Sequence, residues 1–105
     1  MATNTVSRYT GTDPNGESSV MAELVVTSAG LFALAELARE SNYTLRLWIK
    51  AGSARTATAY IGATAFSMAV TADWKVFKFT ALADANSSCD IYLPAGTYYI
   101  WHPML

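Results

Sequence analysis

From Tyr43 to Lys50 the chain reads YTLRLWIK, and apolar and polar side chains alternate without a fault. Tyr43, Leu45, Leu47 and Ile49 fall on one side, and Thr44, Arg46, Trp48 and Lys50 on the other. A period of two belongs to a strand with one face on a core and one on solvent. A helix would scatter the same residues around its axis. The segment therefore commits the chain to a sheet that buries one face, and the rest of the sequence must supply what covers it.

The remaining runs supply short strands. Val20–Val26, Ala57–Ile61, Phe66–Thr71, Trp74–Leu82, Cys89–Leu93 and Thr97–Leu105 are rich in β-branched and aromatic residues. Turn residues separate them: Ser28-Ala29-Gly30, Gly52-Ser53, Gly62-Ala63, Ala72-Asp73, Asp84 to Ser88 and Pro94-Ala95-Gly96. About eight strands with turns every ~8–12 residues predict an all-β antiparallel sandwich or barrel. Phe77 and Phe79, and Ile91 and Leu93, are expected to face inward with the Leu45 row. One stretch stays open between helix and strand. Leu31 to Glu40 reads LFALAELARE, with Leu31, Leu34, Ala35 and Ala38 at helical spacing inside β-type surroundings. Residues 1–18 are polar, and Asp13-Pro14-Asn15-Gly16 is a strong turn signal. They are expected as an arm, or a short strand near Val6–Thr10, followed by a turn. Residues 19–105 are expected as one domain.

Composition excludes several functions. Net charge is −1 and the seven Lys and Arg are scattered along the sequence, which gives nucleic-acid binding little support. The longest uncharged run, Thr56 to Ala72, is rich in Thr and Ala and too short for a membrane helix. No leader-like apolar segment occupies the first twenty residues. Cys89 is the one cysteine and His102 the one histidine, so neither an intrachain disulfide nor a cysteine-based metal site can form. Without a nucleophile motif or a phosphate loop, the chain reads as a non-enzyme. Only 14% of residues are charged against 52% apolar, more apolar surface than a lone small domain hides, which points to self-association.

Three pieces in order, YTLRLWIKAG at Tyr43–Gly52, DWKVFKFTAL at Asp73–Leu82 and LPAGTYYIWHPML at Leu93–Leu105, carry a resemblance. They resemble the galactose-binding-like, carbohydrate-binding-module-like jelly-roll domains found in bacteriophage tail, baseplate and other virion proteins. The resemblance covers about the last 65 residues, on the length scale of a single domain. It implies a jelly-roll β-sandwich and a virion structural protein, assembled in a bacterial cytoplasm as a head-decoration, tail or baseplate component. The expected partners are copies of itself, with a trimer as the expected form, and other virion proteins. An N-terminal arm would reach a neighbour, so removing residues 1–15 is expected to abolish assembly and spare the fold. The alternative is a module that binds cell-surface glycan.

Trp48 is the best candidate functional residue. It points away from the core row, flanked by Arg46 and Lys50, and an outward Trp serves a ligand or an interface. Aromatic faces stack on sugar rings, and Trp, Tyr and Arg also anchor subunit contacts. The apolar composition favours the interface. Trp74, Tyr92 and Tyr99 are further platform candidates, whereas Trp101 reads as a core residue. Asp13, Asn15 and Glu17 alternate in one loop and could offer three oxygens to a structural calcium ion, although an ordinary polar turn explains them as well. No cofactor is otherwise expected. Cys89 reads as a small half-buried residue, and His102 as a packing or hydrogen-bonding one.

Overall fold

The computed structural model describes residues 4–36, 41–83 and 88–104. Nine strands run through them: β1 (Thr5–Thr12), β2 (Ser18–Val26), β3 (Gly30–Glu36), β4 (Ser41–Ala51), β5 (Arg55–Ile61), β6 (Thr64–Val70), β7 (Lys75–Ala83), β8 (Ser88–Leu93) and β9 (Gly96–Met104). They form a five-stranded sheet in the order β1-β2-β9-β4-β7 and a four-stranded sheet in the order β3-β8-β5-β6. Every pairing is antiparallel. Only β1–β2 and β5–β6 are sequential neighbours that pair; the other connections pass between sheets, as in a jelly roll.

Alternation in β4 does what its sequence requires. Leu45, Leu47 and Ile49 are buried and Tyr43 packs against the core. The opposing sheet contributes Ala57, Ala59, Ile61, Met68, Val70, Ile91 and Leu93. Each fully buried Leu or Ile side chain contributes about 1.5–3 kcal/mol. Phe77 and Phe79 face inward as expected, and Phe66 of β6 stacks on Phe79 with ring centroids 4.6 Å apart. Cys89 is more buried than expected: it is fully enclosed, and burial pushes its thiol above the ordinary value.

Two segments that the sequence left open settle as strands. LFALAELARE begins as strand β3, whose Leu31 and Phe32 pair with Tyr92 and Ile91. Its later part, residues 37–40, lies outside the described residues. The N-terminal segment is built into the sheet. Residues 5–12 pair with β2 over eight positions, from Thr5↔Val25 to Thr12↔Ser18. Asn4 ties the strand's start to the β2–β3 connection, donating to Ser28 O at 2.8 Å and accepting from the Thr27 and Ser28 amides at 2.8 and 3.0 Å. Of the two expectations for this polar segment, an arm reaching a neighbour or a short strand near Val6–Thr10, backbone pairing gives the strand, longer than expected. Removing residues 1–15 would strip an edge strand from the sheet.

Turn chemistry closes the hairpins. Asp13 O accepts the Gly16 amide at 3.0 Å, and Gly16 takes φ +82°, open to glycine at little cost. Gly62 sits first in the two-residue β5–β6 turn with φ +59°, a position glycine favours.

Candidate functional site

The outward face of the five-stranded sheet gathers most of the aromatic residues that the core does not use. Register places Trp48 of β4 directly across from Trp101 of β9, and Lys50 across from Tyr99. Tyr99 in turn faces Glu23 of β2, and Tyr9 of β1 reaches its ring. The Tyr9 and Tyr99 centroids are 4.9 Å apart, and the Trp48 and Trp101 rings meet edge to face at 6.4 Å. Lys50 Nζ lies 5.0 Å from the Trp74 ring and 5.5 Å from the Tyr99 ring, a cation held between two π faces. Burial, and then the Glu23 carboxylate, raise the Tyr99 phenol above its ordinary value.

This face is concave. Trp74 immediately precedes β7, and Thr12 ends β1; these are the two edge strands of the sheet. Four strand spacings would put flat edges about 19 Å apart. Yet Trp74 Nε1 donates to Thr12 O at 3.0 Å. The sheet curls over its outer face far enough for a side chain beside one edge to reach the end of the other. Met21 fits this geometry: it shares Glu23's side of β2, stands outside the core cluster and is nevertheless buried.

The half of the face nearer β7 stays open. Val76 and Met104 are exposed, as are Arg46, Lys78 and Thr80, and Trp48 is half-buried among them. A bulge shapes this half. Trp48 pairs with Trp101 but Arg46 pairs with Met104, so β9 carries one residue more than β4. His102 absorbs it at φ +48°, and Pro103 is accommodated where a regular ladder would refuse it. The His102 ring lies flat on Trp101, centroids 3.8 Å apart and planes 10° apart. Trp101 Nε1 is buried and has no hydrogen-bond partner among the described residues.

Of the residues singled out from the sequence, Arg46, Trp48, Lys50, Trp74 and Tyr99 come together here. Tyr92 does not: it is on the outer face of the other sheet, paired with Leu31 and Thr58. Trp101 is corrected from core residue to neighbour of Trp48. Tyr98 and Ile100 take the inward positions of β9, which leaves Trp101 outward. Tyr9 and Glu23 are additional members; alternation in VSRYTGT was the only sequence sign for Tyr9. Asp13 has a structural task. Its Oδ1 accepts the Asn15 and Glu17 amides at 2.9 and 3.0 Å, and those bonds, led by Glu17's, hold the carboxyl below its ordinary value. Asn15 and Glu17 are exposed. Among the described residues no group of three or more His, Cys, Asp or Glu side chains could hold a metal ion.

No protein-family model matches the sequence, and no curated protein is similar to it in sequence. Solved structures do resemble its fold. The fold is that of a carbohydrate-binding-module-like jelly roll. The module named BiXyn10A CBM1, in its apo form, superposes with a TM-score of 0.60 at 16% identity, over 89% of this chain and 75% of that one. The enzymatically active domain of tailspike protein 4 of bacteriophage CBA120 matches the jelly roll with a TM-score of 0.60 at 15% identity. That match covers 96% of this chain and 19% of the tailspike chain. A CBM6 module from Cellvibrio mixtus lichenase 5A, solved with cellotriose, gives a TM-score of 0.54 at 12% identity over 90% of this chain and 83% of that one.

Proposed function

We propose that this jelly roll is a carbohydrate-binding module whose binding surface is the concave outer face of the five-stranded sheet. The observation that carries the reading is the gathering of Trp48, Trp101, Trp74, Tyr99 and Tyr9 on one face, with polar groups between them. Flat apolar rings stack on the faces of pyranose rings, and interleaved Lys, Arg, Glu and Thr groups serve the hydroxyls. The curl of the sheet supports an elongated ligand lying across the strands. Several similar folds being carbohydrate-binding modules supports the same assignment. The chain binds without turning its ligand over.

Trp48 is the open platform. Trp48→Ala is expected to weaken glycan binding by about 1–3 kcal/mol, the scale of ring stacking on an aromatic side chain. A broad glycan array followed by calorimetry on the best binder tests this. An array without a hit, or a Trp48→Ala protein that binds as tightly as the parent, overturns the reading.

A second reading concerns setting. The tailspike likeness supports a place in a phage-type virion, where such a module adheres to the host surface. Val6 and Val20 stand 62% and 57% exposed on the paired β1–β2 hairpin, which supports burial against a second copy in a symmetric oligomer, a trimer in the expected form. Light scattering over a hundredfold range of concentration reads this directly. A monomer throughout contradicts the oligomer and leaves the glycan face in place.

A further inference from the structure

The open half of the concave face carries a charge pattern that neutral sugars do not require. Arg46 of β4 and Lys78 of β7 are directly opposite each other in the ladder. Both are exposed, and neither has a hydrogen bond or ion pair among the described residues. Like charges placed directly across two strands destabilise a sheet. Here the repulsion sits next to Trp48, with Lys50 two residues further along the same strand face. Against Arg46, Lys50 and Lys78 the strands of this face set, among the described residues, one carboxylate, Glu23, which is already engaged with the Tyr99 phenol. The whole chain has a net charge of −1, so the positive sign belongs to this face and not to the molecule.

Building on the assignment of this face to glycan, we propose that the ligand is an acidic glycan, one whose sugar units bear carboxylates, and that Arg46 and Lys78 select it. The pyranose ring stacks on Trp48. Its carboxylate lies between the guanidinium and the ammonium, accepting charge-assisted hydrogen bonds from both and cancelling their mutual repulsion. Arg46 supplies the geometric selection, because its planar fork matches a carboxylate with two parallel bonds. Lys78 adds a point charge. Lys50 is not free for this role, being held between Trp74 and Tyr99. The bulge at His102 sets the local shape, since it shifts the register of β9 opposite Arg46.

The test is a calorimetric titration of the whole chain with matched probes. Oligogalacturonate, a hyaluronan tetrasaccharide and sialyllactose are compared with cellotriose and lactose. The acidic probe that binds best should exceed the best neutral one by roughly tenfold or more, the scale of one charge-assisted pair. That preference should fade between about 0.01 M and 1 M salt, as the Debye length contracts from ~30 Å to ~3 Å. In an Arg46→Gln/Lys78→Gln variant, checked for an unchanged melting curve, the preference should fall to nearly nothing. Equal binding of neutral and acidic probes overturns this inference and leaves the carbohydrate assignment standing. So does an acid preference that survives in the double variant, because other groups would then be reading the charge. Binding of none of the probes, with no hit on the broader array, overturns both.

Discussion

His102 is the one non-glycine residue with positive φ among the described residues, and it sits at the rim of the candidate site. Backbone outliers of this kind cost about 1–3 kcal/mol and persist where surrounding structure imposes them. Here the bulge imposes it and the stack on Trp101 returns part of the cost. A β-branched side chain fits that region worst, so His102→Val should lower stability by about 1–3 kcal/mol while His102→Gly stays close to the parent. Chemical denaturation of the two variants checks the difference; equal losses would mean that the Trp101 stack, and not the backbone, dominates. Trp101 offers a second residue-scale expectation. Its indole N–H is buried and without a partner among the described residues, so in chemical denaturation Trp101→Phe should hold stability or raise it by about 1 kcal/mol. The sequence showed Trp48 clearly because Arg46 and Lys50 flank it with charge. It did not show Trp101, because YYIW contains no polar residue to mark which alternate positions face out. The extra residue in the following bulge also breaks the count from the chain's end.

At the scale of elements, β9 is anchored by Tyr98. The ring is fully buried, and its hydroxyl donates to Pro94 O at 2.8 Å, fastening the strand to the turn that precedes it. Tyr98→Phe should cost about 1 kcal/mol in denaturant unfolding, the net worth of one hydrogen bond. Burial raises the Tyr98 phenol above its ordinary 10.0 and the Cys89 thiol above its ordinary 9.0. The sign follows from which form the fold prefers. Both groups are neutral when protonated, so their contribution is full below the unfolded-state values and lost as pH rises through the folded ones. Unfolding should therefore be easier above about pH 9, and Cys89→Ala should remove part of that alkaline loss. Other elements were only half legible. TVSRYTGT is polar on both sides because an edge strand with an open outer face and little cover inside has few apolar positions; in sequence that looks the same as an arm. LFALAE has helix-type residues, yet it pairs with β8, where tertiary context overrides propensity.

The whole molecule adds what no single strand contains. Trp74 and Thr12 are far apart in sequence, one just before β7 and one at the end of β1, and a hydrogen bond between them bridges the two edges of the five-stranded sheet on its aromatic face. Alternation fixed which side chains leave the core, but the curl depends on accumulated twist and on loops that carry no pattern. The scattered cations of the sequence likewise become a charged surface only through register. The chain's three tryptophans, Trp48, Trp74 and Trp101, all belong to this face. Intrinsic fluorescence is thus a direct report on the proposed binding surface. The most direct measurement is a fluorescence titration of the whole chain with the saccharides that an array selects, repeated on Trp48→Ala. Carbohydrate binding at the concave face predicts a saturable change in tryptophan emission that is lost or greatly weakened in the folded Trp48→Ala protein. Saccharide binding detected by calorimetry with no change in emission would place the ligand elsewhere and contradict the account.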